Sequence, residues 1–411
     1  MATQFFRIRS AFLAAPAILA AQILVPDAAV AADFEKPRSF QANLIPGISA
    51  SGQNYTIKSP VTSDGFMRIY VFTTPWGEFS AIGDGLMRQR QFELAALGQL
   101  QKVTESDSFN RALAEAGMSP IKFAGELIVN PLGTLGNTLS GIGSLFGQVG
   151  SSAHNAGKYE SDPMADLTGA SRKKRELAIK LGVDPYTDFQ PLQQRLTQLS
   201  AAAATGGLVV SGALMAIPGV GGIIVSNTAT SANLGNVARD NTPAQLLDLN
   251  RTKLLAMGVD RNLAEQFLLN RNYTPLDATA IVSLLEEVQV PGREVFIARA
   301  ATVNRRDAAF FMRRQAEMVA DYQNKTRAIT GFVALGGFPF ATTTGGVLGL
   351  LPLDALSWTQ GTNKAMRDIT DSLRRGGRPG RAEMRITGQA TPLAKEKMRA
   401  LGWIVTENTK I

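Results

Sequence analysis

The chain has 411 residues, with 42 Lys and Arg against 34 Asp and Glu, one His, no Cys and a formal net charge of +8. The missing Cys excludes disulfides, thiolate metal sites and thiol nucleophiles, and a single His excludes a His-rich zinc centre. The length suits one large domain or two smaller ones.

Residues 1–31 read as a secretory signal peptide. Arg7 and Arg9 supply a positive start, and Ala11 to Val25 an apolar run interrupted by Pro16. Small residues at Ala29 and Ala31 predict cleavage before Ala32 or one residue later. The run is short and broken for a membrane span, which takes about 20 apolar residues. Export makes anionic lipid or an envelope protein the expected partner of the basic mature chain, with no nucleic acid.

Residues 32–90 predict a small β meander. "YTIKSPVT", the turn Asp64-Gly65, "FMRIYVFTT", the turn Pro75-Trp76-Gly77 and "EFSAIG" alternate strand and turn signals. Met67, Ile69 and Val71 fall on one face, and Phe66, Arg68, Tyr70 and Phe72 on the other. The charge on Arg68 predicts partial exposure of the second face.

Residues 91–373 predict a helical domain, so the expected fold class is mainly α. Leu94, Leu97, Leu100 and Val103 recur at helical spacing, and "SFNRALAEAG" predicts a second helix ending at Gly117. Thr242-Pro243, Thr274-Pro275 and Thr391-Pro392 each place a capping hydroxyl before a proline at the first helical position. Asp184-Pro185 predicts the same, and Gly258 a helix end. Residues 374–411 predict a basic loop, "RRGGRPGR", and then a strand, a helix and a strand. A parallel pair of that kind needs a larger sheet. The N-terminal meander is the expected host, which brings both parts of the chain into one sheet.

Segments 127–157, 196–238 and 328–353 contain no Asp, Glu, Lys or Arg and hold 20 of the 39 glycines. Glycine inside a helix costs about 0.5–1 kcal/mol relative to Ala, so close packing must offset it. In the first segment Leu132, Leu135, Leu139, Ile142 and Phe146 form an apolar stripe beside Gly143 and Gly147, the small-residue spacing of tightly packed or lipid-facing helices. The second predicts a helical hairpin with its tip at Pro218-Gly219, and the third another hairpin broken at Pro339. Burial in a soluble helical domain, stable spanning and conditional insertion, as in pore-forming proteins, are the competing readings.

No G-x-S-x-G, Walker A or strand-flanked G-x-G-x-x-G occurs. Ser171 and Lys174 match the spacing of serine acyl enzymes without the accompanying motifs, and a helix-capping Ser before a basic helix accounts for them. No catalytic, cofactor or metal residue is therefore expected, although the fold can assemble a carboxylate pair that sequence does not reveal. Arg172, Lys173, Lys174 and Arg175, with Arg374, Arg375, Arg378 and Arg381, are the expected contacts to an anionic surface.

"YTIKSPVTSDGFMRIYVFTTPWGEF", "NPLGTLGNTLSGIGSLF" and "KKRELAIKLGVDPYTDFQPLQQRL" resemble a family of uncharacterised exported proteins of proteobacteria. The likeness covers roughly the first 200 mature residues and "RALGW" at Arg399 to Trp403. Gly182-Val183-Asp184-Pro185-Tyr186 is its most specific part. The resemblance implies export and a mainly helical fold, and no chemistry. Together these features predict a non-enzymatic envelope protein that binds membrane or an envelope partner.

Overall fold

The computed structural model describes residues 34–118, 169–205, 229–377 and 380–410. The predicted meander forms a five-stranded antiparallel sheet: β1 (Ser51–Gly52), β2 (Tyr55–Ile57), β3 (Thr62–Ser63), β4 (Arg68–Thr74) and β5 (Gly77–Ile82). β4 is the spine, with β5 on one edge and β2 and β3 in succession on the other. The face expected to be half exposed is the buried one, for Tyr70 and Phe72 are inaccessible and Arg68 is 7% exposed. Alternation separates two faces but does not say which is covered. Arg68 goes inside because Asp84 neutralises it at 2.6 Å.

Helices follow: α1 (Asp84–Thr104), α2 (Asp107–Glu115), α3 (Ala170–Lys180), α4 (Gln190–Ala204), α5 (Ala229–Asp240), α6 (Pro243–Ala256), α7 (Arg261–Leu268), α8 (Pro275–Val288), α9 (Arg293–Ala301) and α10 (Arg306–Thr326). α2 ends as expected, with Gly117 at φ +71°. Thr242 and Thr274 cap α6 and α8 with reciprocal capping boxes and proline in the first turn. Asp184 opens no helix. Its carboxylate accepts the Tyr186 N–H at 2.8 Å and closes a buried turn, and α4 begins after Phe189.

The mainly α expectation fails at 328–353. This segment is a β meander of β6 (Ile329–Leu335), β7 (Phe338–Thr343) and β8 (Gly346–Leu351), not a helical hairpin. Gly336 and Gly337 both have positive φ and form the two-residue turn between β6 and β7, the primed-turn chemistry that matches strand twist. Gly349 lies under the Phe340 ring, which a Cβ there would meet at 2.7 Å. The glycines serve strand turns and cross-strand packing, and the lack of charge reflects burial of all three strands in the main core.

Beyond β9 (Ala355–Leu356) come α11 (Gln360–Arg375), β10 (Arg381–Ile386), β11 (Gln389–Ala390), α12 (Pro392–Ala400) and β12 (Trp403–Thr406). The predicted strand–helix–strand is present, but its host differs. β10 lies parallel between β8 and β12, giving a mixed sheet in the order β12-β10-β8-β7-β6. The N-terminal meander stays separate. β9 and β11 form a third, two-stranded sheet. The described residues therefore make an α+β fold. The inward face of α10, with Phe311, Met312 and Ala316, packs in the core of the mixed sheet, while its Phe310 reaches the core of the first sheet.

The Thr caps carry unequal roles. Thr242 accepts the Gln245 N–H at 3.3 Å. Thr274 accepts the Asp277 N–H at 3.1 Å and also donates to Asp184 at 2.6 Å. Thr242→Ala should lower stability by about 1 kcal/mol. Thr274→Ala should cost about 2–3 kcal/mol, because a buried carboxylate also loses its donor. Urea midpoints of the two variants check the order.

Candidate functional site

Two recesses bring titratable groups together. The first lies where α1 meets β4. Gly83, at φ +94°, turns the chain so that Asp84 opens α1. Asp84 accepts from Arg68 and from the Tyr70 hydroxyl, both at 2.6 Å. Asp354 accepts the Asp84 N–H at 2.9 Å. Burial and the neighbouring Asp84 hold the Asp354 carboxyl well above the usual carboxylate range. The recess has a volume of about 50 Å³, with Arg88, Asp307 and Arg314 also on its wall. Each carboxyl of the pair is bound by protein groups, so the arrangement ties β4, α1 and the β8–β9 connection together.

The second recess is wider, about 550 Å³. It is walled by α3, the turn before α4, α4 itself, the loop before α8 and the start of α10. Beneath it runs a chain of ion pairs. Asp277, fully buried, accepts from Arg313 at 2.9 Å and from Arg306 at 2.5 Å. Arg306 also reaches Asp188 at 3.0 Å, and Arg90 reaches the other Asp188 oxygen at 2.6 Å. Arg90 continues to Glu93 at 2.5 Å, which accepts the Thr187 hydroxyl at 2.6 Å. Burial opposes ionisation of Asp188, but Arg90 and Arg306 outweigh it and hold the carboxyl below its usual range. Asp277 is held low in the same way by Arg306 and Arg313. Asp184, which meets no arginine directly, is pushed up to about 7 by burial and by the charge on Asp277.

On the recess wall the balance is reversed. Lys174, Arg271 and Arg306 face it, and Asp188 is the one acid among the described lining residues. Lys174 and Arg271 have no ion-pair partner among the described residues. Burial alone pushes the Lys174 ammonium down to about 8. Arg306 and Gln194 line the recess, and Arg306 Nη2 and Gln194 Oε1 are buried without a hydrogen-bond partner among the described residues. The surrounding groups are mostly neutral and polar, among them Gln190, Gln193 and Asn272.

No protein-family model, curated protein or solved structure matches the chain.

The four basic residues of α3 expected to contact an anionic surface separate in space. Arg172 and Lys173 are exposed beside Glu176, Lys174 lines the recess, and Arg175 is buried and donates to the Arg239 carbonyl at 3.0 Å. Ser171 is not on the recess wall with Lys174. Arg374, Arg375 and Arg381 are exposed, with Arg374 3.6 Å from Asp371 and Arg381 3.9 Å from Glu383. Arg378 lies outside the described residues, as do Leu132, Leu135, Leu139, Ile142, Gly143, Phe146, Gly147, Pro218 and Gly219. Arg271 and Arg306 were not anticipated. They lie 97 and 132 positions beyond Lys174, and no periodicity or motif relates the three. Among the described residues no helix is long and apolar enough to cross a membrane, and no His, Cys, Asp and Glu group has metal-binding geometry.

Proposed function

We propose that the protein is an exported cell-envelope protein that acts by binding an anionic partner, without catalysis. The observation that carries this reading is the wide recess, where Lys174 and Arg271 stand without an ion-pair partner among the described residues beside the paired Arg306 and Asp188. Such an excess raises the local concentration of anions and favours their docking. Export rests on the three-part N-terminal pattern at residues 1–31 and on the resemblance to exported proteobacterial proteins. The two carboxylate pairs, Asp84 with Asp354 and Asp184 with Asp277, are engaged by arginines, hydroxyls or backbone N–H groups, which supports a structural role for them. The inserting reading loses one of its three supporting segments, since 328–353 is buried strand.

Fractionation tests the reading. A tagged chain expressed in a Gram-negative host should have the mass expected for cleavage near Ala31. It should leave the membranes on an alkaline carbonate wash. Retention in the washed pellet would replace binding by insertion, and an unprocessed cytoplasmic chain would remove export.

A further inference from the structure

We propose that the wide recess is a binding site for a phosphoryl group that carries at least one O–H, as a phosphomonoester monoanion or a glycerol phosphate does. The inference refines the anionic partner proposed above and rests on that reading for its biological setting. Lys174 and Arg271 come from separate elements, α3 and the loop before α8, and neither is spent on a carboxylate among the described residues. Arg306 is fixed by Asp188 and Asp277 through Nε and Nη1, which leaves buried Nη2 as a positioned donor. Fixing a guanidinium this way lowers the entropy lost when it grips an oxyanion.

Gln194 supplies the selectivity. Gln194 lines the same recess as the cations, and its Oε1 is buried without a donor among the described residues. An unpaired buried acceptor costs about 1–3 kcal/mol until a donor arrives. Sulfate and a carboxylate bring acceptors only, whereas a protonated phosphate or a glycerol hydroxyl brings acceptors and a donor together. The volume of about 550 Å³ admits a headgroup-sized ligand.

The charged groups that share the recess with Lys174 are Asp188, Arg271 and Arg306, and on its own helix Arg172 and Lys173 engage Glu176. An ammonium held near 8 by burial loses its charge in mildly alkaline buffer. Phosphate affinity should therefore fall above pH 8 in the parent protein, and Lys174→Arg should remove that fall.

The test is isothermal titration of the purified full chain with inorganic phosphate, glycerol 3-phosphate and sulfate, alongside flotation with phosphatidylglycerol vesicles. Phosphate and glycerol 3-phosphate should bind more tightly than sulfate. Lys174→Gln and Arg271→Gln should each weaken binding about tenfold or more, the loss of one charge-assisted contact, while circular dichroism stays unchanged. Vesicle binding that glycerol 3-phosphate displaces assigns the group to a lipid headgroup, and binding of the free ester alone assigns a soluble phosphoester. Absence of binding at about 10 mM ligand, equal affinity for sulfate, or an unchanged affinity in both Gln variants overturns the proposal. The titration uses purified protein, so its failure leaves the fractionation result intact, and the converse holds too.

Discussion

Asp277→Ala should be the most damaging single substitution in the described part of the molecule, with a loss of about 3–5 kcal/mol. The side chain of Asp277 is inaccessible, and it joins the cap of α8 to two arginines of α10. Its removal takes a carboxylate from Arg313, 2% exposed, which keeps its ion pair with Glu317, and from Arg306, which keeps that with Asp188. An uncompensated buried charge costs far more than a surface pair contributes, and total stabilities are only about 5–15 kcal/mol. Urea denaturation at pH 7 should find Asp277→Ala largely unfolded or with a sharply lower midpoint. Asp277→Asn, which keeps an acceptor for the Thr274 N–H, should fall in between. A midpoint equal to the parent's would mean that Glu317 and Asp188 suffice to hold both arginines.

Asp184→Asn should act in the opposite direction. The Asp184 carboxyl rises from an ordinary 3.8 to about 7 through burial and the neighbouring Asp277. The folded protein therefore binds this proton more tightly than the unfolded chain does. The associated stability is fully present below pH 3.8, is lost as the pH climbs to about 7, and is absent above it. A rise of that size corresponds to at most ~4 kcal/mol. Asn presents an oxygen to the Tyr186 N–H, and its amide donates to the Thr274 oxygen, which reverses the direction of that bond but keeps a contact there without the charge. At pH 8 the variant should be more stable than the parent, and the advantage should shrink as the pH approaches 4. Denaturation curves at pH 8 and pH 5 decide it. A variant no more stable than the parent at pH 8 would show that ionised Asp184 is needed there, by Arg306 or Arg313.

Local signals in the sequence were legible where one residue type does one job. The Thr-Pro pairs at 242, 274 and 391 are helix starts because the hydroxyl and the ring act within four residues. The meander at 51–82 was legible from Asp64-Gly65 and Pro75-Trp76-Gly77. The misreading of 328–353 came from giving absence of charge more weight than local pattern. Gly336-Gly337 between runs rich in Phe, Val and Thr is a hairpin signal, and a buried strand is as uncharged as a buried helix. Arg68 was misplaced because a charge reads as exposed until its partner is known, and Asp84 lies two elements on, at the start of α1. The recess was beyond reach for a similar reason. Lys174 was a candidate as part of a basic helix, but its pairing with Arg271 and Arg306 depends on how α3, α8 and α10 pack.

The mixed sheet also governs when the protein can fold. β10 sits between β8 and β12, and Met384, Ile386 and Trp403 belong to the main core. Asp354 meets the backbone of Arg68 across 286 positions, and Thr391 meets Glu35 across 356. Contacts of such separation close late and slowly. A nascent chain cannot complete this core until synthesis has passed Trp403. β8 remains an open edge up to that moment, able to pair with another chain. Slow assembly follows from the strand order itself.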